Sequence, residues 1–342
     1  MPTGSYERYG LTGNPFRELG SESLEDVTIF HVNQEADSLL RTIREEVLDK
    51  ENRAVVAVTG PQGSGKTQRL RVMAAEAKER KAFVVYFDVS STTPSAMRSL
   101  AAAFEKSGKE AGHVKMLGAP GWLRSVSGLA KVKADAYDPK DAGRKIGEAL
   151  NAASPAFLLL NDLHNLVESK EIEVFAKMLE EITAVMKPGV LLMFSCYASY
   201  LAWLTANQPG FASRVNRAIP LQVLSEDEAR LVLAKKLLAK RVVEDLDPTY
   251  PFDREAVKEL NRAGHGNPRR LIELADLVLE RAVASRAFQV DADMVRSTLA
   301  TRVMTGFAAA PAWQETPESG PRESATAADP EPARRPFWKR AR

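Results

Sequence analysis

The chain has 342 residues, with 47 Lys and Arg against 45 Asp and Glu and a formal net charge of +2. That length suits about two domains with a sizeable core, and the near-neutral balance gives no bulk-charge case for nucleic-acid binding. A single cysteine, Cys196, excludes an internal disulfide framework and a cysteine-rich metal site, and fits a reducing, cytoplasmic setting.

Met1 to Gly10 is polar and lacks a signal-peptide core. Residues 1 to about 30 read as an irregular extension, in which Asn14-Pro15-Phe16 forms a turn with an apolar anchor. Helical spacing follows from Gln34 to Lys50, with Leu39, Leu40, Ile43, Val47 and Leu48 on one face. Ala54 to Val58 is an apolar strand that runs into a glycine-rich loop, and Thr67 to Arg80 is a helix. Further strands are expected at Ala82–Val89, Phe157–Leu160, Val190–Phe194 and Ala218–Val223, and helices at Pro94–Lys106, Asp141–Ala152 and Ile172–Met186. Ser107 to Asp138 reads as a loop or an inserted helical pair. The longest apolar stretch, Val190 to Leu204, is too short to span a bilayer and is interrupted by Ser195 and Ser199.

Strands that are apolar throughout, alternating with helices, predict an α/β fold: a parallel sheet covered on both faces. From Ser225 the pattern is helical only, with helices at about 226–241, 254–263, 268–285 and 291–302 and a capping box at Ser225 and Glu228. Beyond Phe307 the composition turns to Ala, Pro, Glu, Ser and Arg and does not support a core. The expected division is an extension over 1–30, a P-loop core over 31–224, a small all-α lid over 225–305 and a disordered tail over 306–342. The tail's Arg334 to Arg342 segment, basic around Phe337 and Trp338, is a candidate docking segment for nucleic acid, an anionic membrane surface or a partner's groove.

Gly60-Pro61-Gln62-Gly63-Ser64-Gly65-Lys66-Thr67 fits GxxxxGK[ST] in full, between a strand and a helix as the motif requires. The glycines let successive N–H groups face a phosphate chain, and the helix N-terminus adds its dipole. Lys66 is assigned to the β- and γ-phosphates of ATP, the Thr67 hydroxyl to Mg²⁺, and Gln68 to the nucleotide. Phe157 to Asp162 is the candidate acid-bearing strand. Read directly, Asn161 takes the metal side and Asp162 the general-base position; shifted by one, Asp162 takes the metal side beside Leu163. An amide is a weak Mg²⁺ ligand, and a shorter acid loses about 1 Å of reach toward a water. Either register predicts ATP binding with slow or partner-dependent hydrolysis, and the direct one predicts faster turnover in Asn161→Asp.

Ser195, at the end of the fourth strand, is a candidate γ-phosphate or water contact, or a cap of the next helix. Arg214 is a candidate arginine finger toward a neighbouring subunit, with Arg217 as its competitor. Arg269, at a helix N-terminus after Gly266-Asn267-Pro268, sits against the helix dipole and so points to a phosphate partner, with Arg270 as the alternative. His164 reads as a packing residue, and Asp88 as a group that gates the strand-end acid.

Tyr9 to Phe16, His31 to Ile43, the P-loop, Leu160 to Leu166, Arg214, Leu221 to Glu228 and Gly266 to Arg269 come in one order. That order resembles the AAA+ ATPase module shared by origin-recognition and Cdc-type replication initiators, ExeA secretion ATPases and TniB transposition ATPases, over about residues 9 to 302. The resemblance implies an AAA+ core with a helical lid, ATP with Mg²⁺, and the role of a nucleotide-controlled switch. It makes Arg269 the lid arginine that senses the γ-phosphate, gives Ser195 the polar sensor position and lays Asn14-Pro15-Phe16 near the adenine. Asn161 departs from the usual strand-end Asp. Only about forty residues follow Val303, so the winged-helix DNA-binding domain of the initiators is not expected there. The implied functions are an ATP switch acting in DNA replication or another DNA transaction, on DNA or a DNA-bound protein; a regulatory scaffold that binds ATP without turnover; or a motor for secretion or assembly.

Overall fold

The computed structural model describes residues 6–17, 34–89, 95–112, 119–129, 138–166, 171–243 and 246–304. Its elements are α1 (Gln34–Leu48), β1 (Ala54–Thr59), α2 (Lys66–Glu79), β2 (Phe83–Asp88), α3 (Ala96–Glu110), α4 (Gly121–Leu129), α5 (Pro139–Ala152), β3 (Ala156–Asn161), α6 (Ile172–Val185), β4 (Val190–Cys196), α7 (Ala198–Asn207), α8 (Pro209–Ala212) and β5 (Arg217–Pro220). Four lid helices follow: α9 (Glu226–Leu238), α10 (Arg254–Ala263), α11 (Pro268–Ser285) and α12 (Ala292–Met304). Among the described residues, no helix is long and apolar enough to cross a membrane.

The five strands form one parallel sheet in the order β2-β3-β4-β1-β5. Strands β1, β3 and β4 are buried along their whole length, which is why their sequences are apolar runs rather than alternations. Alternate residues nevertheless serve opposite faces. Val55, Ala57, Val85, Leu158, Leu160, Leu192 and Phe194 pack with α3 to α8, whereas Val56, Val58, Val84, Phe157, Leu159, Leu191 and Met193 pack with α1 and α2. The unassigned stretch after Ser107 contains α4, whose Val126 and Leu129 join the first of these cores. Residues 113–118 and 130–137 of that stretch, and the tail from 305 onward, lie outside the described residues.

The fifth strand is shorter than its apolar sequence suggests. It ends at Pro220, and residues 221–225 connect it to the lid without regular secondary structure. There the Leu221 N–H donates to the Thr59 carbonyl at 2.7 Å, and the Leu224 N–H to the Gly266 carbonyl at 2.8 Å. The capping box is present: the Glu228 N–H donates to the Ser225 hydroxyl at 3.3 Å, and the Ser225 N–H to the Glu228 carboxylate at 2.8 Å.

Residues 6–17 of the N-terminal segment pack into the lid. Tyr9, Leu11 and Phe16 are fully buried in the lid core with Val232, Leu233, Phe252, Leu260 and Leu279. The Tyr9 hydroxyl donates to the Ala287 carbonyl at 2.6 Å, and the Asn14 amide to Asp276 at 2.6 Å. The Val242 N–H donates to the Gly10 carbonyl at 2.9 Å, and Gly10 itself is left-handed at φ 66°. Phe16 meets Phe252 edge-on with ring centroids 5.9 Å apart. Phe16→Ala therefore empties a ring-sized space in the lid, a change of about 3–5 kcal/mol. Hydrogen exchange is expected to quicken in α10 and α11 and to stay unchanged in β1, β3 and β4.

Candidate functional site

The C-terminal ends of β1, β3 and β4 meet at one edge of the sheet, where open α/β folds hold their ligands. At the end of β1 the chain turns through Gly60, Gly63 and Gly65, with φ of 148°, 80° and 91°, and enters α2 at Lys66. The Lys66 ammonium donates to the Gly60 and Pro61 carbonyls, both at 2.7 Å, and lies 4.9 Å from the centroid of the Tyr197 ring. Burial lowers its pKa to about 8, opposed by the Asp162 carboxylate. The Ser64 hydroxyl is buried in the same loop without a hydrogen-bond partner.

The acid-bearing strand is not the neighbour of the P-loop strand, because β4 lies between β1 and β3. At its end the backbone flips to φ 55° at Asp162, which lines the cleft. Asn161 is turned away and is only 4% exposed. Its amide nitrogen donates to Asp88 at 2.9 Å and to Asp162 at 3.1 Å, and its carbonyl accepts from the Ser195 hydroxyl at 2.8 Å. The same Ser195 hydroxyl accepts from the Asp162 N–H at 2.7 Å. Burial pushes the Asp162 carboxyl above its usual pKa, while Lys66 and Ser195 pull it down.

A cleft of about 320 Å³ lies over this edge. Gln62, Gly63, Gly65, Lys66, Thr67 and Gln68 line one side, Asp162, His164 and Tyr197 the floor, and Lys236, Arg269 and Ile272 of the lid the other side. His164 packs on Tyr197 with ring centroids 3.9 Å apart, and burial lowers its pKa to about 4. It is therefore neutral at neutral pH. A larger groove of about 910 Å³ between α1, β5 and α9 holds none of these groups.

One side chain ties the lid to the loop. The Asn267 amide nitrogen donates to the Gln62 carbonyl at 2.7 Å, while its oxygen caps α11 by accepting from the Arg270 N–H at 3.2 Å. Gly63 leaves it room, since a Cβ there would lie 2.7 Å from the Asn267 oxygen and 3.0 Å from the Arg269 Cβ. Behind the loop, Arg69 donates to Asp37 of α1 at 3.1 Å, a buried pair that fixes α1 to α2.

The structure thus brings Lys66, Thr67, Gln68, Asp162 and Arg269 to one cleft. Gly60, Pro61 and Ser64 form the back of the loop. Ser195 is fully buried beneath the cleft and does not line it; the following helix is capped at Tyr197, so Ser195 is not its cap either. Arg214 and Arg217 are exposed and line no part of the cleft. Phe16 belongs to the lid core, Asn14 is hydrogen-bonded to Asp276 of α11, and none of Asn14-Pro15-Phe16 lines the cleft. Sequence reasoning missed Asn267 as a latch, because its turn-forming role already explained it, and missed Tyr197 and Lys236, which belong to no motif. Thr67 and Asp162 supply a hydroxyl and one carboxylate, an oxygen pair that suits Mg²⁺ arriving with phosphate oxygens and water. Gly63→Ala puts a methyl group against Asn267 at a left-handed φ and is expected to weaken ATP binding at least tenfold while the sheet stays folded, as read by titration calorimetry and circular dichroism.

Residues 24–196, a little over half of the chain, match the AAA domain family. Solved structures with a similar fold include the ORC2 protein of Aeropyrum pernix, solved as ADPNP and ADP complexes (14% identity, 84% of this chain and 71% of that one, TM-score 0.55). Cdc6p of Pyrobaculum aerophilum is 13% identical over 83% of this chain and 70% of that one, with a TM-score of 0.55. The Aeropyrum pernix ORC1 protein, solved in complex with DNA, is 16% identical over 81% and 67%, with a TM-score of 0.53. No curated protein sequence matches the chain. With its P-loop, parallel sheet and helical lid, the chain belongs to the AAA domain family.

Proposed function

We propose that this protein binds ATP with Mg²⁺ and acts as a nucleotide-controlled switch in a DNA transaction, with slow or partner-stimulated hydrolysis. The observation that carries the reading is the cleft itself, where a P-loop, one carboxylate and a lid arginine face one another across the core–lid boundary. A phosphate chain gives Lys66 charged acceptors in exchange for the Gly60 and Pro61 carbonyls. Arg269 approaches from the lid, so a bound triphosphate draws lid and core together. Bound Mg²⁺ neutralises phosphate charge and would be held by Thr67 and Asp162.

Slow turnover follows from the carboxylate count. Asp162 is the one acid among the described residues lining the cleft. It would have both to support the metal and to orient the attacking water. Asn161 supplies neither service, because its amide is spent on Asp88, Asp162 and Ser195. The same count supports the second reading, a scaffold that binds ATP with negligible hydrolysis. An exposed Arg214 outside its own cleft suits an arginine finger for a second copy. A DNA or DNA-bound partner is supported by the ORC1–DNA complex among the similar folds.

Titration of MgATP and single-turnover hydrolysis, with and without duplex DNA, test the proposal. Lys66→Ala is expected to abolish ATP binding. Asp162→Asn is expected to retain binding and lower hydrolysis by about tenfold or more. Brisk hydrolysis in Asp162→Asn would remove the single-carboxylate argument. Asn161→Asp replaces a donor to two carboxylates with a third carboxylate, so the geometry reverses the sequence expectation: turnover should fall, not rise. A gain in turnover would show that the amide is what limits the chemistry.

A further inference from the structure

Helix α9 buries Ala229, Val232, Val232's neighbour Leu233, and then Lys236 and Leu237. These positions repeat at three and four residues, the inner stripe of an amphipathic helix. An apolar residue belongs at position 236, yet a lysine stands there with only 3% of its surface exposed. Lysine is among the residues least often buried, because its ammonium gives up water to be there. The four apolar members of the stripe point into the lid core, and Lys236 is where the stripe reaches the cleft, beside Ile272 and Arg269 of α11. Lys66, Lys236 and Arg269 thus converge on a space of about 320 Å³ whose described lining holds one carboxylate, Asp162. A phosphate chain in that space would meet Lys66 from the loop and both Lys236 and Arg269 from the lid.

We propose that Lys236 is a second lid cation for the nucleotide, and that it binds the phosphate chain of ATP together with Arg269. The inference rests on the ATP reading above and adds a site residue to it. Two lid cations from two different helices, α9 and α11, let one phosphate chain hold the lid at two points. A single arginine would hold it at one, about which the lid could still turn.

The experiment compares wild type, Lys236→Met and Lys236→Arg by MgATP titration and by melting temperature with and without nucleotide. Lys236→Met keeps the apolar stem and removes the charge. Its melting temperature without nucleotide is read beside its affinity, so that loss of fold is told apart from loss of the phosphate contact. Its ATP affinity is expected to fall about tenfold, the value of one charge-assisted hydrogen bond. Lys236→Arg is expected to recover most of that loss. Wild-type affinity in Lys236→Met, with an intact ATP response in wild type, overturns the role of Lys236 and leaves the ATP reading standing. Absence of any ATP binding by wild type overturns both. If Lys236→Met does not fold, Lys236→Gln serves the same comparison.

Discussion

The site depends on one ammonium group held out of water. Lys66 is almost fully buried at the sheet edge, and a bare charge in that position is unfavourable by several kcal/mol. Everything around it answers that demand. Two loop carbonyls accept its hydrogen bonds, the Tyr197 ring offers its face, and the Asp162 carboxylate supplies opposite charge nearby. Those groups come from the ends of β1, β3 and β4, which only a parallel sheet brings together on one side. The glycines at 60, 63 and 65 then let the backbone curl tightly enough for the carbonyls to reach the ammonium.

Beneath the lysine, the strand ends are locked by polar contacts rather than by packing. Ser195 and Asn161 lie in adjacent strands, buried and hydrogen-bonded to each other, and both hold Asp162 in place. Buried polar networks of this kind are specific because each unmet partner is expensive. The left-handed backbone at Asp162 is part of the same arrangement: it turns one acid toward the cleft while its predecessor faces Asp88. Asparagine suits position 161 because it can donate to two carboxylates and accept from a hydroxyl at once.

Much of this was legible in the sequence, and the reasons are physical. Continuous apolar runs such as Phe157 to Leu160 mark strands buried on both faces, and Gly60 to Thr67 carries its own steric logic. What the sequence hid were contacts between distant residues and the direction of side chains at strand ends. Period-two reasoning stops where the strand stops, so it did not decide whether Asn161 or Asp162 meets the cleft; the backbone flip at Asp162 does. Tyr9, Leu11 and Phe16 are apolar residues without a helical or strand period. Their burial against residues more than two hundred positions later leaves no local trace. Asn267 was readable as a helix cap but not as a donor to Gln62, since one amide performs both tasks with different atoms.

The burial of residues 6–17 in the lid changes how the two halves of the molecule are joined. The lid is built from both ends of the described chain, and the core from α1 to β5 is threaded between them. Along the chain, the lid is therefore joined to the core both before α1 and after β5. A lid assembled from both ends of the described chain meets the phosphate loop at Asn267, so one amide fastens residues drawn from opposite ends of the sequence to the same turn.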